Sequence, residues 1–473
     1  MNKFFLSLFL TLTLLAGSSP AQKRRVVPKK PPAVPAKAAA VSEIPIVTKT
    51  LSNGLQIIVY PDSSVPIVSV ELAVRNGSFT EPPELNGLSH LYEHMFFKTN
   101  QAIVDRQPYL LDIGQLGITY NGSTREEVVN YYFTTTSQYV ETAIRFIKDS
   151  VRYPVFDEDE FSREKQVVIS EIDRNESSPF FYLSTTLNQK LFYKYPTRKQ
   201  PLGTRETVAT ATTAKMRLIQ GRYYVPNNSA LVVTGDVKPD EVFKFAEQYF
   251  GDWARRPEDP FKEFPLADHP ALLKSDGYIV EQPVQNVLIQ VGWQGPSIGK
   301  DNAATYAADV FSFIITQPDS RFERKMVDSG LTVGADFGYY TQRNVGPIVV
   351  TLATTPDKAK AALAAVYAEI AQFDKPDYFT DAELENAKTI LSSRDLFERE
   401  KLSDYAHTLS FWWSSTGIEY FQGYHKTLNA ITRADTTRYI QTYVQGKPHV
   451  GVALISSDAQ KQAKLTPDDL IGK

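Results

Sequence analysis

The chain has no cysteine in its 473 residues, which excludes a disulfide framework, a thiol nucleophile and a thiolate metal site. Any metal it holds must be held by imidazole and carboxylate. Histidine is scarce as well, at six. An excess of one charge is also missing: 51 Lys and Arg stand against 54 Asp and Glu, a net of −3. Both signs are interspersed, without the basic stripe of a nucleic-acid-binding domain. No hydrophobic run reaches the roughly 20 residues that span a bilayer comfortably; Phe4 to Ala16 falls short. What is present is length and 42% hydrophobic content, ample for a core and too much chain for one ordinary domain.

Lys3, the apolar run after it and the small residues Gly17-Ser18-Ser19-Pro20-Ala21 predict an export signal over residues 1–21. The expected location is periplasmic or secreted in a bacterium. The alternative is an uncleaved signal, which would be the chain's membrane contact. Residues 22–44, rich in Pro, Ala and Lys (Lys23-Arg24-Arg25, Lys29-Lys30-Pro31-Pro32, Ala38-Ala39-Ala40), predict a disordered, solvated spacer.

From Val47 the pattern alternates between strands and helices. Strands are predicted at 55–60, 67–74, 118–123, 131–136 and 230–234, and helices at 139–150, 157–175 and 239–250. Prolines at 257, 260, 265 and 270 mark a linker. The order then repeats, with strands at 284–291, 333–340, 348–354 and 450–455 and helices at 303–316, 358–373 and 382–396. Such a repeat predicts a duplicated α+β unit, in an N-terminal domain over 45–255, a linker over 256–275 and a C-terminal domain over 276–473.

One cluster carries chemistry. His90, Leu91, Tyr92, Glu93 and His94 place two imidazoles one helical turn apart with a carboxylate beside the second. On a helix the rings share a face and can converge on one metal ion, while the glutamate can reach the metal's water. The order H-x-x-E-H inverts the H-E-x-x-H metallopeptidase pattern. The competing reading is a pair of ordinary surface histidines. Catalytic zinc takes three protein ligands, and the helix at 157–175 offers Glu160, Glu164 and Glu171. Glu164 and Glu171, seven apart, share a face, so one could bind metal while the other orients a ligand or the water. Alternatively they form a solvated acidic face paired with Arg163, Lys165 and Arg174. His269, His407, His425 and His449 lack ligand spacing and read as structural. Phe411-Trp412-Trp413 and Tyr420-Phe421 read as core, or as the lining of a chamber or partner interface.

The run Gly87-Leu88-Ser89-His90-Leu91-Tyr92-Glu93-His94-Met95-Phe96-Phe97-Lys98 resembles a signature of the pitrilysin, insulin-degrading and mitochondrial-processing peptidases, and so does the run from Phe161 to Ile172. The likeness extends from Val47 to the C-terminus, tighter in the first half. Tyr224-Val225-Pro226-Asn227-Asn228 leading to Gly235-Asp236 resembles the close of that family's first domain. The resemblance implies a zinc cofactor bound by His90, His94 and Glu171, with Glu164 as supporting acid and Glu93 as general base of a zinc-dependent endopeptidase. It implies that Asn121, Gly122, Ser123 and Thr124 form an edge strand that binds substrate peptide. The fold implied is two similar α+β domains, each a duplicated ferredoxin-like α/β sandwich unit, enclosing a chamber.

One departure matters. Many members of that family carry an arginine and, seven residues on, a tyrosine that donate to the substrate carbonyl. Here those positions hold Met326 and Val333 if anchored on Gly330-Leu331, or Val327 and Gly334 if anchored on Ser320-Arg321. None can donate a side-chain hydrogen bond to a developing oxyanion. Three readings follow: the zinc-bearing subunit of a two-chain enzyme whose homologous partner brings the Arg/Tyr pair, a chain active alone through Arg321, Arg324, Tyr339, Tyr340 or Arg343, or a non-catalytic peptide-binding or scaffold subunit.

Overall fold

The computed structural model describes residues 45–102, 114 and 117–473. The expected export signal and spacer lie outside the described residues.

Two sheets organise the chain. The first contains β1 (Val47–Thr50), β2 (Gln56–Pro61), β3 (Ile67–Val74), β4 (Thr119–Thr124), β5 (Val129–Thr136) and β6 (Ser229–Gly235), in the order β1-β2-β6-β3-β5-β4. The second contains β7 (Asp276–Glu281), β8 (Val287–Gln294), β9 (Gly334–Tyr339), β10 (Pro347–Thr354) and β11 (His449–Ile455), in the order β7-β11-β8-β10-β9. Without β1 the two orders coincide place for place. Each sheet has one parallel pair, β2 with β6 and β7 with β11, among antiparallel neighbours. The repeat read from the order of elements is thus a repeat of topology.

The main helices of the first half are α1 (Leu88–Phe96), α2 (Val140–Arg152), α3 (Glu158–Glu176), α4 (Pro179–Leu191) and α5 (Pro239–Phe250). In the second half they are α6 (Asn302–Ile315), α7 (Ala359–Ile370), α8 (Asp381–Glu398), α9 (Leu402–Ser415) and α10 (Arg433–Tyr443). Strand β6 is buried along its whole length and β3 nearly so, as strands covered on both faces must be.

The covering is reciprocal. Helix α4 leaves the first half and buries Leu183, Leu187 and Leu191 against Leu288, Val450, Val452 and Leu454 of the second sheet. Each such leucine is worth about 1.5–3 kcal/mol of burial. Helix α9 lies on β3 and β6 of the first sheet. There Thr234 Oγ1 donates to Leu402 O at 2.8 Å, Arg75 Nη2 donates to Trp413 O at 3.1 Å, and Trp413 Nε1 donates to Gln56 Oε1. Trp412, Trp413 and Phe421 are buried and pack as core.

Charged groups complete the junction. Buried Lys199 donates to Asn344 O and Val345 O at 2.8 Å each and to Gln342 Oε1. Glu127 accepts from the backbone N–H of Arg343 at 2.7 Å and of Asn344 at 2.9 Å. Side chains of the first half therefore hold the loop between β9 and β10.

Candidate metal centre

Helix α1 is fixed at its start before any ligand is considered. Gly87 takes a left-handed φ of 84°, and a Cβ there would lie 2.5 Å from Gly203 Cα, so only glycine fits. The buried Glu81 carboxylate accepts from Gly87 N at 2.7 Å and Ser89 N at 2.6 Å, satisfying N–H groups that a helix leaves free at its start. Leu88, Leu91, Tyr92, Met95 and Phe96 are buried. The spacing i, i+3, i+4, i+7, i+8 turns one stripe of α1 into the core and leaves His90 and His94 on another.

Helix α3 supplies the acids. Its N-cap Asp157 accepts from Asp159 N and Glu160 N, and Phe161, Val168 and Ile172 pack inward. Glu164 and Glu171 stand on the neighbouring stripe, facing α1. Glu171 Oε2 lies 3.5 Å from His90 Nε2 and 3.6 Å from His94 Nε2. These separations are long for hydrogen bonds. For a tetrahedral ion with ligands at about 2.0–2.1 Å, ligand atoms stand about 3.4 Å apart. Among the described residues this is the one group of three or more candidate ligands, with its donor atoms all within 4.8 Å of one another. Two nitrogens and a carboxylate oxygen, without sulfur, suit zinc.

The second carboxylate acts behind the first. Glu164 Oε2 lies 3.2 Å from His94 Nδ1, the ring nitrogen turned away from Glu171, and Lys98 Nζ donates to Glu164 Oε1. Of the cations that would pair with a solvated acidic face, Lys165 Nζ turns instead to Ala209 O and Ala211 O, while Arg174 contributes to lowering Glu171. Glu160, offered by the sequence alongside these two, accepts from Thr99 N and Oγ1 and so fastens the end of α1. Lys98, Glu81 and Thr99 were not singled out from the sequence. Lys98 sits four residues after His94, the one signal that could have found it.

Burial pushes the His90 imidazole down to about 4, and His94 acts in the same sense. His94 is partly buried, but Glu164 and Glu171 outweigh the cost of burial and lift it to about 9. Burial works to raise Glu164, yet His94 and Lys98 prevail and bring it to about 2. Glu171 is lowered, first by His94. A cation taking His94 must therefore displace a proton.

Glu93 is 8% exposed, and burial raises its carboxyl. Thr124 Oγ1 donates to Glu93 Oε2 at 2.9 Å. A Cβ at Gly122 would lie 2.7 Å from Glu93 Oε1. Among the described residues strand β4 stands at one end of the first sheet, β1 at the other, so Asn121, Gly122, Ser123 and Thr124 do sit on an edge. Alternation sends Gly122 and Thr124 toward α1 and Asn121 and Ser123 to the opposite face.

The five residues that could replace the missing Arg/Tyr pair are engaged elsewhere. Arg321 pairs with Glu369 at 3.1 Å, Arg324 donates to Asp319 O, and Tyr339 donates to Pro296 O at 3.0 Å. Tyr340 donates to Glu126 Oε2 at 3.3 Å and Arg343 to Ser415 O at 3.2 Å. Val333 is 63% exposed.

The chain is similar to known proteins over both of its halves. The insulinase (peptidase family M16) profile matches residues 57–204, and the peptidase M16 inactive-domain profile matches residues 210–391. The chain is 24% identical over 385 residues to an uncharacterized zinc protease, YmxG, of Bacillus subtilis, covering 81% of this chain and 90% of that one. It is 27% identical over 227 residues to human insulin-degrading enzyme, covering 46% of this chain but 22% of that enzyme. A protease from Helicobacter pylori superposes with a TM-score of 0.78 at 21% identity, over 86% of this chain and 99% of that one. With the profiles covering both halves and the H-x-x-E-H helix falling inside the first of them, the chain belongs to peptidase family M16, the insulinase family.

Proposed function

We propose that this chain is the zinc-bearing subunit of an exported two-chain metalloendopeptidase that cleaves peptides or unfolded polypeptides. The observation that carries this reading is the convergence of His90 Nε2, His94 Nε2 and Glu171 Oε2 next to the buried, restrained carboxylate of Glu93. His90, His94 and Glu171 would hold a zinc ion, which would supply Lewis acidity toward the scissile carbonyl and a lowered pKa for water. Glu93 takes a proton from the attacking water and returns it to the leaving amine, so that hydroxyl goes to the carbonyl carbon and hydrogen to nitrogen. Substrate adds as a further strand along β4, which pairs with β5 alone among the described strands. Recognition through main-chain hydrogen bonds tolerates many sequences.

The two-chain part rests on what occupies the second half. Met326 and Val333 offer no hydrogen-bond donor, and all five candidate substitutes are committed to other partners. A homologous partner that brings the Arg/Tyr pair completes the carbonyl-binding half and closes a chamber over the metal face.

The purified chain is expected to hold one zinc, His90→Ala to lose it, and Glu93→Gln to keep it without cleaving. Cleavage of a quenched fluorogenic peptide is expected only after a family M16 chain bearing the Arg/Tyr pair is added. Robust cleavage by this chain alone overturns the two-chain reading. Zinc binding without cleavage even after the partner is added favours the scaffold subunit.

A further inference from the structure

His407 carries no ligand spacing, yet it stands at one end of a polar relay that ends on the candidate substrate strand. It is contributed by α9, the helix that the second half lends to the first sheet. Its Nδ1 donates to Glu71 Oε2 at 2.5 Å. Glu71, on the central strand β3, is fully buried. Its other oxygen accepts from Asn130 Nδ2 at 2.6 Å. Asn130 Oδ1 in turn accepts from Ser123 Oγ at 2.7 Å, and Ser123 and Asn130 are register partners of β4 and β5.

A carboxylate buried in a sheet costs several kcal/mol unless it is fully satisfied. A purely apolar sheet face at Glu71 would have served the core better. Here its two oxygens order two groups, the imidazole of the second half and the amide that fixes Ser123, which also meet each other, Asn130 Nδ2 lying 3.1 Å from His407 Nδ1. An edge strand has ladder bonds on one side only, so what holds its side chains sets how rigid it is. Strand β4 is gripped from both faces, by Thr124 on Glu93 and by Ser123 on this relay.

We infer that His407, acting through Glu71 and Asn130, is a positioning residue that holds β4 in the conformation peptide docks on. The inference rests on the docking of substrate along β4 and is independent of the metal ligands. It also gives the exchange of α9 between halves a role at the site.

The test uses the full chain in a Glu93→Gln background, so that a dye-labelled, unstructured decapeptide can bind without turnover. His407→Leu is expected to speed amide hydrogen exchange in Thr119–Thr124 by about tenfold and to weaken decapeptide binding by about fivefold, the scale of one lost hydrogen bond. Zinc content is expected to stay unchanged. His407→Gln, whose amide can still donate to Glu71, is expected to restore both. Unchanged exchange in His407→Leu overturns the relay. Faster exchange with unchanged decapeptide affinity, or no measurable binding in the parent, shows that β4 is not the docking edge and overturns the inference through that reading. Loss of zinc in His407→Leu also overturns it, because the residue would then support the fold of the metal site rather than the strand.

Discussion

Glu164 Oε2 holds His94 by Nδ1 at 3.2 Å, while the same ring turns Nε2 toward Glu171. A ligating imidazole is oriented, and made more basic, by what its second nitrogen touches. His90 has no such support, since its Nδ1 is buried without a hydrogen-bond partner among the described residues. His94 is therefore the better anchored of the two. Glu164→Ala is expected to weaken zinc affinity by roughly 10- to 100-fold while leaving folding largely intact. Glu164→Gln, which keeps an acceptor, should fall between that variant and the wild type. Competition with a fluorescent chelator measures both.

Gly122 gives a second prediction, on activity rather than on affinity. A side chain at 122 meets the Cγ and Oε1 of Glu93 at 2.7 Å, and the atoms that must yield belong to a flexible carboxylate. The fold can absorb the change, but the general base cannot keep its place. Gly122→Val is expected to retain zinc and melt near the wild-type temperature. Its kcat in the activity-competent complex should drop by roughly 10²-fold or more, the scale of general-base catalysis.

The metal side of the site was legible in the sequence because helical spacing is rigid. A spacing of four from His90 to His94, and of seven from Glu164 to Glu171, fixes which groups share a face before any tertiary contact is known. Glu81, Thr99 and His407 were not legible. Their partners lie across loops or in the other half of the chain, and no local period links Glu71 to a histidine 336 residues away. The same holds for the fold. Strands with continuous apolar runs, such as Ala230 to Val233, stood out. Helices α4 and α9 did not, although Leu183, Leu187 and Leu191 recur every four residues. Both are exchanged between halves, so each one's neighbours in sequence are not its neighbours in space.

Lys199 tests how much the junction of the halves contributes. Burial pushes its ammonium down to about 8 even with Glu127 nearby, so the charge is tolerated only because three oxygens from the β9–β10 loop surround it. Lys199→Met strands those acceptors and removes one of the two cations, with Arg343, that act on the buried Glu127. Breaking such an arrangement costs about 3–5 kcal/mol. A matching loss of unfolding free energy is expected in urea titration. A change below about 1 kcal/mol, the scale of an exposed ion pair, would show that the loop is held by its backbone bonds alone.

His269 sets the pH response of the same region. The ring is buried between Phe192 and Tyr195, at centroid distances of 4.9 and 5.8 Å, and neither nitrogen has a hydrogen-bond partner among the described residues. Burial, reinforced by Lys199 and Arg198 and opposed by Asp268, pushes it down to about 3. Unfolded histidine binds a proton near 6.5. Between those values the unfolded chain holds the extra proton, so stability rises with pH. The contribution is full above about 6.5 and is lost as pH falls toward 3. His269→Leu removes the titrating group while keeping the apolar contact with Phe192. Its melting temperature should therefore fall less than the wild type's between pH 7 and pH 5, as read by calorimetry. An equal fall in both proteins would mean that His269 gains its proton in the native state as readily as in the unfolded chain.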